Sequence, residues 1–294
     1  MIEVPAALAR TQIECNGDAG REFVAELPAR TERFLAEWGL RPTGPVMHGM
    51  AALVVPVTAG DGTPAALKLQ LLDEESAGEA VALRTWDGAG AVRLLRDDPA
   101  TGTLLLERLD ERRQLSSVPG TREPTRVLAE LLARLTAGPA PEGLRRLGDI
   151  AADMLAAVPE ALAALAGEDD RRLLRECAAA VREVAGEPGD RLLHWDLHLE
   201  NVLAADREPW LAIDPRPLAG DPGFELLPGL CDRFEPAGLR WRFDLMTEVL
   251  GLDRDRARAW TLGRVLQDSL WDVEDGAHAL EGVRVAIARG LLGR

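Results

Sequence analysis

Apolar positions along the chain change period repeatedly, and the changes mark its regions. Over residues 21–40 they fall at helical spacing (Phe23, Val24, Leu27, Phe34, Leu35, Trp38), which predicts a leading helical segment with Pro28 as a break and Gly39 as a stop. From Val46 the spacing shortens. Residues 51–57 and 65–71 read as strands around Ala59-Gly60-Asp61-Gly62-Thr63-Pro64, whose Asp-Gly pair predicts a hairpin turn. Residues 74–86 return to helical spacing and stop at Asp87-Gly88, and 91–95 and 103–107 predict two more strands around the turn 96–102. Beyond Asp110 the pattern is helical and rich in Ala and Leu, over 123–137 and 143–186. A β-rich part followed by an α-rich part predicts an α+β chain of two lobes, residues 1–107 and 108–294, with Glu107–Asp110 as an extended hinge.

One stretch departs from these patterns. Apolar runs at 202–204 and 210–213 flank the breakers Ala205-Asp206-Arg207-Glu208-Pro209, a second hairpin signal. A hairpin closed there sets Asn201 and Asp214 side by side, an amide and a carboxylate oxygen suited to a hard cation such as Mg²⁺. Asp196 lies five residues before Asn201, on the loop leading in. His194-Trp195-Asp196 with Asn201 matches the His-x-Asp-x-x-x-x-Asn catalytic loop of kinases, and Asp214 the metal-binding aspartate that follows it. Phosphoryl transfer from a Mg-nucleotide is the chemistry this arrangement suggests.

Composition narrows the partners. A formal net charge of −15 argues against nucleic acid or an anionic membrane surface; it permits a cationic small-molecule acceptor and equally suits an acidic, soluble exterior. No apolar run reaches membrane-spanning length, and the first residues lack a signal-peptide pattern. Cys15, Cys177 and Cys231 show neither zinc nor disulfide spacing, so a cytoplasmic chain with free thiols is expected.

Rare residues say more. Among 34 basic residues only Lys68 is a lysine, a compact ammonium that arginine does not replace at a point-charge site. An exposed lysine on an alternating strand would be ordinary; rarity shifts the reading toward function. Glu79, in the middle of the helix expected over 74–86, is placed to pair with it, whereas Glu74 and Glu75 near the helix start complement its dipole. The turn Pro45-Val46-Met47-His48-Gly49-Met50 suits either an ordinary hairpin or backbone N–H groups of His48 and Gly49 over phosphates; it lacks Gly-x-Gly-x-x-Gly. Asp268, Asp272 and Asp275 share a helix face, either a solvated acidic face or a cradle for a polycation.

Lys68, Glu79, His194-Trp195-Asp196 with Asn201, and Ile213-Asp214-Pro215 resemble the aminoglycoside phosphotransferase family of the protein-kinase-like fold. The runs Leu104-Leu105-Leu106-Glu107-Arg108-Leu109, Asp214-Pro215-Arg216-Pro217-Leu218-Ala219-Gly220-Asp221-Pro222 and Trp271-Asp272-Val273-Glu274-Asp275-Gly276 are similar to its streptomycin 6-kinase and hydroxyurea phosphotransferase branch, over about residues 20–280. The resemblance implies a bilobal fold, antiparallel β-rich then α-helical, using ATP and Mg²⁺. It implies Asp196 as catalytic base, Asn201 and Asp214 as metal ligands, and Lys68 fixed by Glu79 on the α- and β-phosphates. Backbone groups of Glu107 and Leu109 would meet adenine, with His48 and Gly49 near the phosphates. His194 and His198 would brace the loop and Asp221 would tie loops together. A small cationic acceptor such as streptomycin is expected against Asp268, Asp272, Asp275 and Glu225, on a monomeric protein. Glu225 stands where aspartate is common and Arg216 where lysine is, which weakens transfer of acceptor identity. A protein kinase is disfavoured, since 202–246 holds no Ser, Thr or Tyr and no Ala-Pro-Glu follows Asp214. A non-catalytic nucleotide-binding protein is disfavoured because Lys68, Asp196, Asn201 and Asp214 are all present. A metabolic kinase for a sugar, amino alcohol or peptide antibiotic stays open.

Overall fold

The helical period of the first residues starts earlier than the sequence suggests. In the computed structural model, which describes residues 3–294, α1 runs Ala6–Glu37. It kinks at Gly17 (φ 55°, ψ −122°), a conformation only glycine takes readily. Pro28 does not break it. The ring removes one N–H donor, but buried Phe23, Leu27, Thr31 and Phe34 hold the helix on both sides of it, and Thr31 Oγ1 donates to Leu27 O at 2.7 Å. Gly39, at φ 62°, follows the helix as the expected stop.

Seven elements follow: β1 (Arg41–Pro42), β2 (Met47–His48), β3 (Ala52–Thr58), β4 (Pro64–Gln70), α2 (Glu79–Trp86), β5 (Leu94–Asp98) and β6 (Thr103–Glu107). The strands form one antiparallel sheet in the order β1-β3-β4-β6-β5, with β2 on β3. Gly62 (φ 91°) closes the β3–β4 turn, where Asp61 Oδ1 accepts from the Thr63 N–H at 2.9 Å. Alternation along β4 sets the layout. Ala65, Leu67 and Leu69 enter the core with Phe23, Leu27 and Phe34 of α1, so Lys68 and Gln70 project from the other face.

Two elements sit differently from expectation. The helix expected from residue 74 begins at Glu79, because Asp73 Oδ1 accepts from the N–H groups of Glu75 and Ser76 and Ser76 Oγ donates to Leu71 O. These local bonds hold the chain in turns and compete with helix. The strand expected over 91–95 runs Leu94–Asp98, with a bulge between Leu94 and Arg96, while Ala91 and Val92 are buried off the sheet.

The rest of the chain comprises β7 (Asp110–Gln114), α3 (Arg122–Leu135), β8 (Arg145–Arg146), α4 (Leu147–Ala164), α5 (Glu168–Val184), β9 (Arg191–Leu193), β10 (Val202–Ala204), β11 (Leu211–Ala212), β12 (Leu218–Gly220), α6 (Leu226–Cys231), α7 (Leu239–Leu250), α8 (Arg254–Glu274) and α9 (Gly282–Leu291). Its helices surround α8, buried nearly all round from Ala257 to Ser269, as a central helix must be. Two small sheets order β11-β10-β7 and β8-β12-β9. A short 3₁₀ turn, Pro222–Glu225, packs so closely on α8 that a Cβ on Gly223 would meet the Ala257 Cα at 2.8 Å. The chain divides into two compact units: one runs to Asp110 and takes in Ala205–Arg207, and the other comprises Glu111–Ala204 and Glu208–Arg294. No helix among the described residues is long and apolar enough to cross a membrane.

Candidate active site

In the first unit the buried Lys68 Nζ donates to both Glu79 carboxylate oxygens at 2.7 Å, and Gln70 Nε2 donates to Glu79 Oε2 at 2.6 Å. Glu79 stands in the first turn of α2 rather than its middle, where the helix dipole also favours its charge. Three polar groups in apolar surroundings are thereby mutually satisfied, and the ammonium is held to one place. His48 and Gly49 are exposed at the β2–β3 turn, where the Gly49 N–H donates to Ala52 O at 3.1 Å; Gln12 Nε2 of α1 supports that turn at the Met50 and Ala51 carbonyls.

The Glu107 N–H donates to Arg93 O at 3.0 Å, and its carboxylate accepts from the Arg93 N–H at 2.7 Å. Arg207 Nε donates to both Glu107 carboxylate oxygens at 3.1 and 3.0 Å, and other Arg207 nitrogens donate to the carbonyls of Gly88 and Ala91. Leu109 is buried.

In the second unit, β9 delivers His194, Trp195 and Asp196. His194 is fully buried with Nε2 3.0 Å from Ile213 O, and the Arg216 N–H donates to His194 O at 2.9 Å. Trp195 takes a left-handed backbone, φ 67°. The Asp196 side chain is 39 % exposed, with His198 Nε2 4.0 Å from its Oδ2. Burial raises the Asp196 pKa above the ordinary carboxylate value; His198 and Arg264 oppose that shift, and the Asp214 charge adds to it. The loop continues through Leu199, whose N–H donates to Asp232 Oδ2 at 2.8 Å, to Asn201, whose Nδ2 donates to Asp196 O at 2.9 Å. That bond leaves the amide oxygen as the group Asn201 can offer a cation.

The β10–β11 hairpin forms with Val202 opposite Ala212 and Leu203 opposite Leu211. Its register is one residue tighter than expected, so Asn201 faces Ile213, whose N–H donates to Asn201 O at 2.9 Å. Asp214 is the next residue, turned by a φ of 58°. Among the described residues no three His, Cys, Asp or Glu side chains are grouped to hold a metal. An amide and one carboxylate fit Mg²⁺ all the same, since it keeps water and phosphate oxygens in most of its positions.

Asp196 and His198 line a cavity of about 580 Å³ with Asp232, Arg264, Asp268 and Arg284. Asp268 reaches this cavity and Glu225 does not. Asp268 accepts from Arg264 Nε at 2.9 Å and lies 3.8 Å from Arg284, which also pairs with Asp272. The α8 face is therefore largely neutralised from within, and Asp275 is simply exposed. Glu225, expected against the acceptor, is fully buried; its Oε1 accepts from the Trp195 N–H at 2.7 Å, and burial pushes its pKa up to about 7. Asp221 does tie segments together, accepting from the Gly223 N–H at 2.8 Å and from Arg256 Nε at 2.6 Å.

The cavity residues Asp232, Arg264, Glu281 and Arg284 escaped the sequence reading. Only the four-residue spacing of Arg264 and Asp268 was a readable signal. Asp232 meets Leu199 across 33 residues of chain, and nothing local marks it.

Comparison with known proteins shows the family. The profile of the aminoglycoside/hydroxyurea antibiotic resistance kinases matches residues 37–276. A hydroxyurea phosphotransferase of Kitasatospora aureofaciens is 64 % identical, covering 100 % of this chain and 87 % of that one. A streptomycin 6-kinase of Streptomyces glaucescens is 54 % identical, covering 100 % and 98 %. In fold, the chain is similar to a thermostable mutant of aminoglycoside phosphotransferase APH(4)-Ia solved with ADP and hygromycin B (TM-score 0.57, 15 % identity, 89 % and 96 % covered). The chain belongs to the aminoglycoside/hydroxyurea antibiotic resistance kinase family, ATP-dependent phosphotransferases of the protein-kinase-like fold.

Proposed function

We propose that the protein phosphorylates a hydroxyl of a streptomycin-class aminocyclitol with Asp196 as the base. The observation that carries this is the half-exposed Asp196 carboxylate in the wall of a cavity of about 580 Å³, on a loop fixed by backbone bonds. That volume is ordinary for a drug-sized ligand. The acceptor's cationic groups would meet Asp232 at the cavity wall, since Asp268 and Glu281 are already engaged by arginine.

Asp196 takes the proton of the acceptor hydroxyl as the hydroxyl oxygen bonds to the γ-phosphorus and the bond to the β,γ-bridging oxygen breaks, releasing ADP; a positioned base contributes roughly 10²–10⁴-fold. Lys68, held by Glu79 and Gln70, supplies a fixed positive charge to the α- and β-phosphates. Asn201 would offer its amide oxygen and Asp214 its carboxylate to Mg²⁺. When bound, the ion neutralises charge on the transferring phosphoryl oxygens. Backbone groups at Glu107 and Leu109 would face adenine; the Glu107 N–H is committed to Arg93, so its carbonyl is the group it offers. The turn at His48 and Gly49 would stand near the phosphates, with the Gly49 N–H itself committed to the Ala52 carbonyl.

The test is ADP release from Mg-ATP in the presence of streptomycin, other aminoglycosides, hydroxyurea and small polyols. Streptomycin-dependent release is expected to lead the panel. Release with hydroxyurea alone would contradict the proposed acceptor class.

A further inference from the structure

Trp195 is a bulky residue in a backbone region that favours glycine, φ 67°, immediately before the base. Such a conformation persists only where the surroundings over-determine it, and here they do. Its N–H is taken by Glu225 Oε1 and its carbonyl accepts from Arg264 Nη1 at 2.9 Å. Its indole is held by its face: Arg145 and Arg264 place guanidinium carbons 4.2 and 5.0 Å from the ring centroid, and Trp271 lies 5.8 Å away. The indole Nε1 is buried and makes no hydrogen bond.

Arg264 joins these contacts. Its side chain is 9 % exposed, Nε is anchored on Asp268, and the plane that carries Nη1 to the Trp195 carbonyl also covers the indole. A lysine has no second nitrogen with which to make the anchor and the carbonyl bond together. We propose that Arg264 is a positioning residue for phosphoryl transfer: through the Trp195 carbonyl and indole it holds the left-handed turn that aims the Asp196 carboxylate into the acceptor cavity. This rests on Asp196 being the base. Arg264 and Asp196 line the same cavity, so the rival role for Arg264 is direct contact with the acceptor.

Steady-state kinetics of the full chain with Mg-ATP and streptomycin separate these roles. Arg264→Lys should lower kcat by about 10- to 100-fold, the cost of slight misplacement of a reacting group, with acceptor KM and ATP KM changed less than about twofold. A rise in acceptor KM with kcat intact would make Arg264 an acceptor ligand and overturn the proposal, as would unchanged kinetics. A second pair of variants serves if Arg264→Lys does not fold. Trp195→Gly and Trp195→Ala both remove the indole, but only glycine is unstrained at this φ. Trp195→Gly should therefore retain several-fold more kcat than Trp195→Ala, and equal values overturn the proposal. Asp196→Asn in the same assay reports on the base itself: if it turns over normally, the underlying reading fails whatever Arg264 does.

Discussion

Asp196 and Asp214 lie on irregular backbone around the β10–β11 hairpin, while Asp268 and Asp272 lie on regular helix, and the two pairs are held by different means. The hairpin region is fixed mainly through its backbone: the Asn201 amide on the Asp196 carbonyl, Asp232 on the Leu199 N–H, and Ile213 O beside His194. Those bonds hold the loop without drawing on the Asp196 carboxylate, which has His198 Nε2 4.0 Å from its Oδ2. On α8 the backbone donors are used within the helix, so the carboxylates are met by side chains, Arg264 and Arg284. Acidic residues that look alike in sequence thus divide into Asp196, whose carboxylate is half exposed on a backbone-held loop, and Asp268 and Asp272, which are paired with arginine.

The comparison can be broken most forcefully at the hairpin. Asp214→Asn should reduce turnover by more than about 100-fold, since metal polarisation of a phosphoryl oxygen is worth several kcal/mol. It should also abolish the metal dependence of nucleotide binding, read by titration with and without Mg²⁺; undiminished metal dependence would remove Asp214 from the ligand set.

Glu225 tests the brace under the loop. Burial raises its pKa from 4.5 to about 7, so between those values the folded protein holds a proton that the unfolded chain has lost. Stability therefore falls as pH rises through that window, by on the order of 3 kcal/mol, and levels off above it. Glutamine keeps an acceptor for the Trp195 N–H and never ionises. In denaturant unfolding, Glu225→Gln should gain on the wild type from pH 4.5 to 7 and hold its lead above; a gap independent of pH would show that the carboxyl does not titrate there.

Smaller effects are expected on α8. Asp268→Asn leaves Arg264 and Arg284 short of a partner and should cost on the order of 1–3 kcal/mol. Asp275→Asn, on an exposed residue, should stay within about 0.5 kcal/mol and leave acceptor KM unchanged. A tenfold rise in KM there would restore the acidic face as an acceptor cradle.

Much of the architecture was legible because it is written locally. The Asp61-Gly62 turn, the alternation that turns Lys68 away from α1, and the breaker cluster at 205–209 each act over a few residues. Where the reading slipped, the deciding partner was elsewhere. Pro28 is tolerated because Phe23, Leu27 and Phe34 are packed into the core on either side of it. Residues 73–78 lose their helix to side-chain bonds that a periodicity count does not see. Glu225 faces inward because Gly223 lets its turn sit against α8, and Asp268 and Asp272 are claimed by Arg284 of α9, more than ten residues on.

In the proposed mechanism Asp196 acts on the acceptor and has no part in holding the nucleotide. The direct measurement is single-turnover transfer of the γ-phosphoryl group to the acceptor by Asp196→Asn, with bound Mg-ATP determined in the same sample. The predicted result is nucleotide affinity within about twofold of wild type and transfer slowed by at least about 100-fold. Transfer at the wild-type rate, or loss of nucleotide binding in step with loss of transfer, would contradict it.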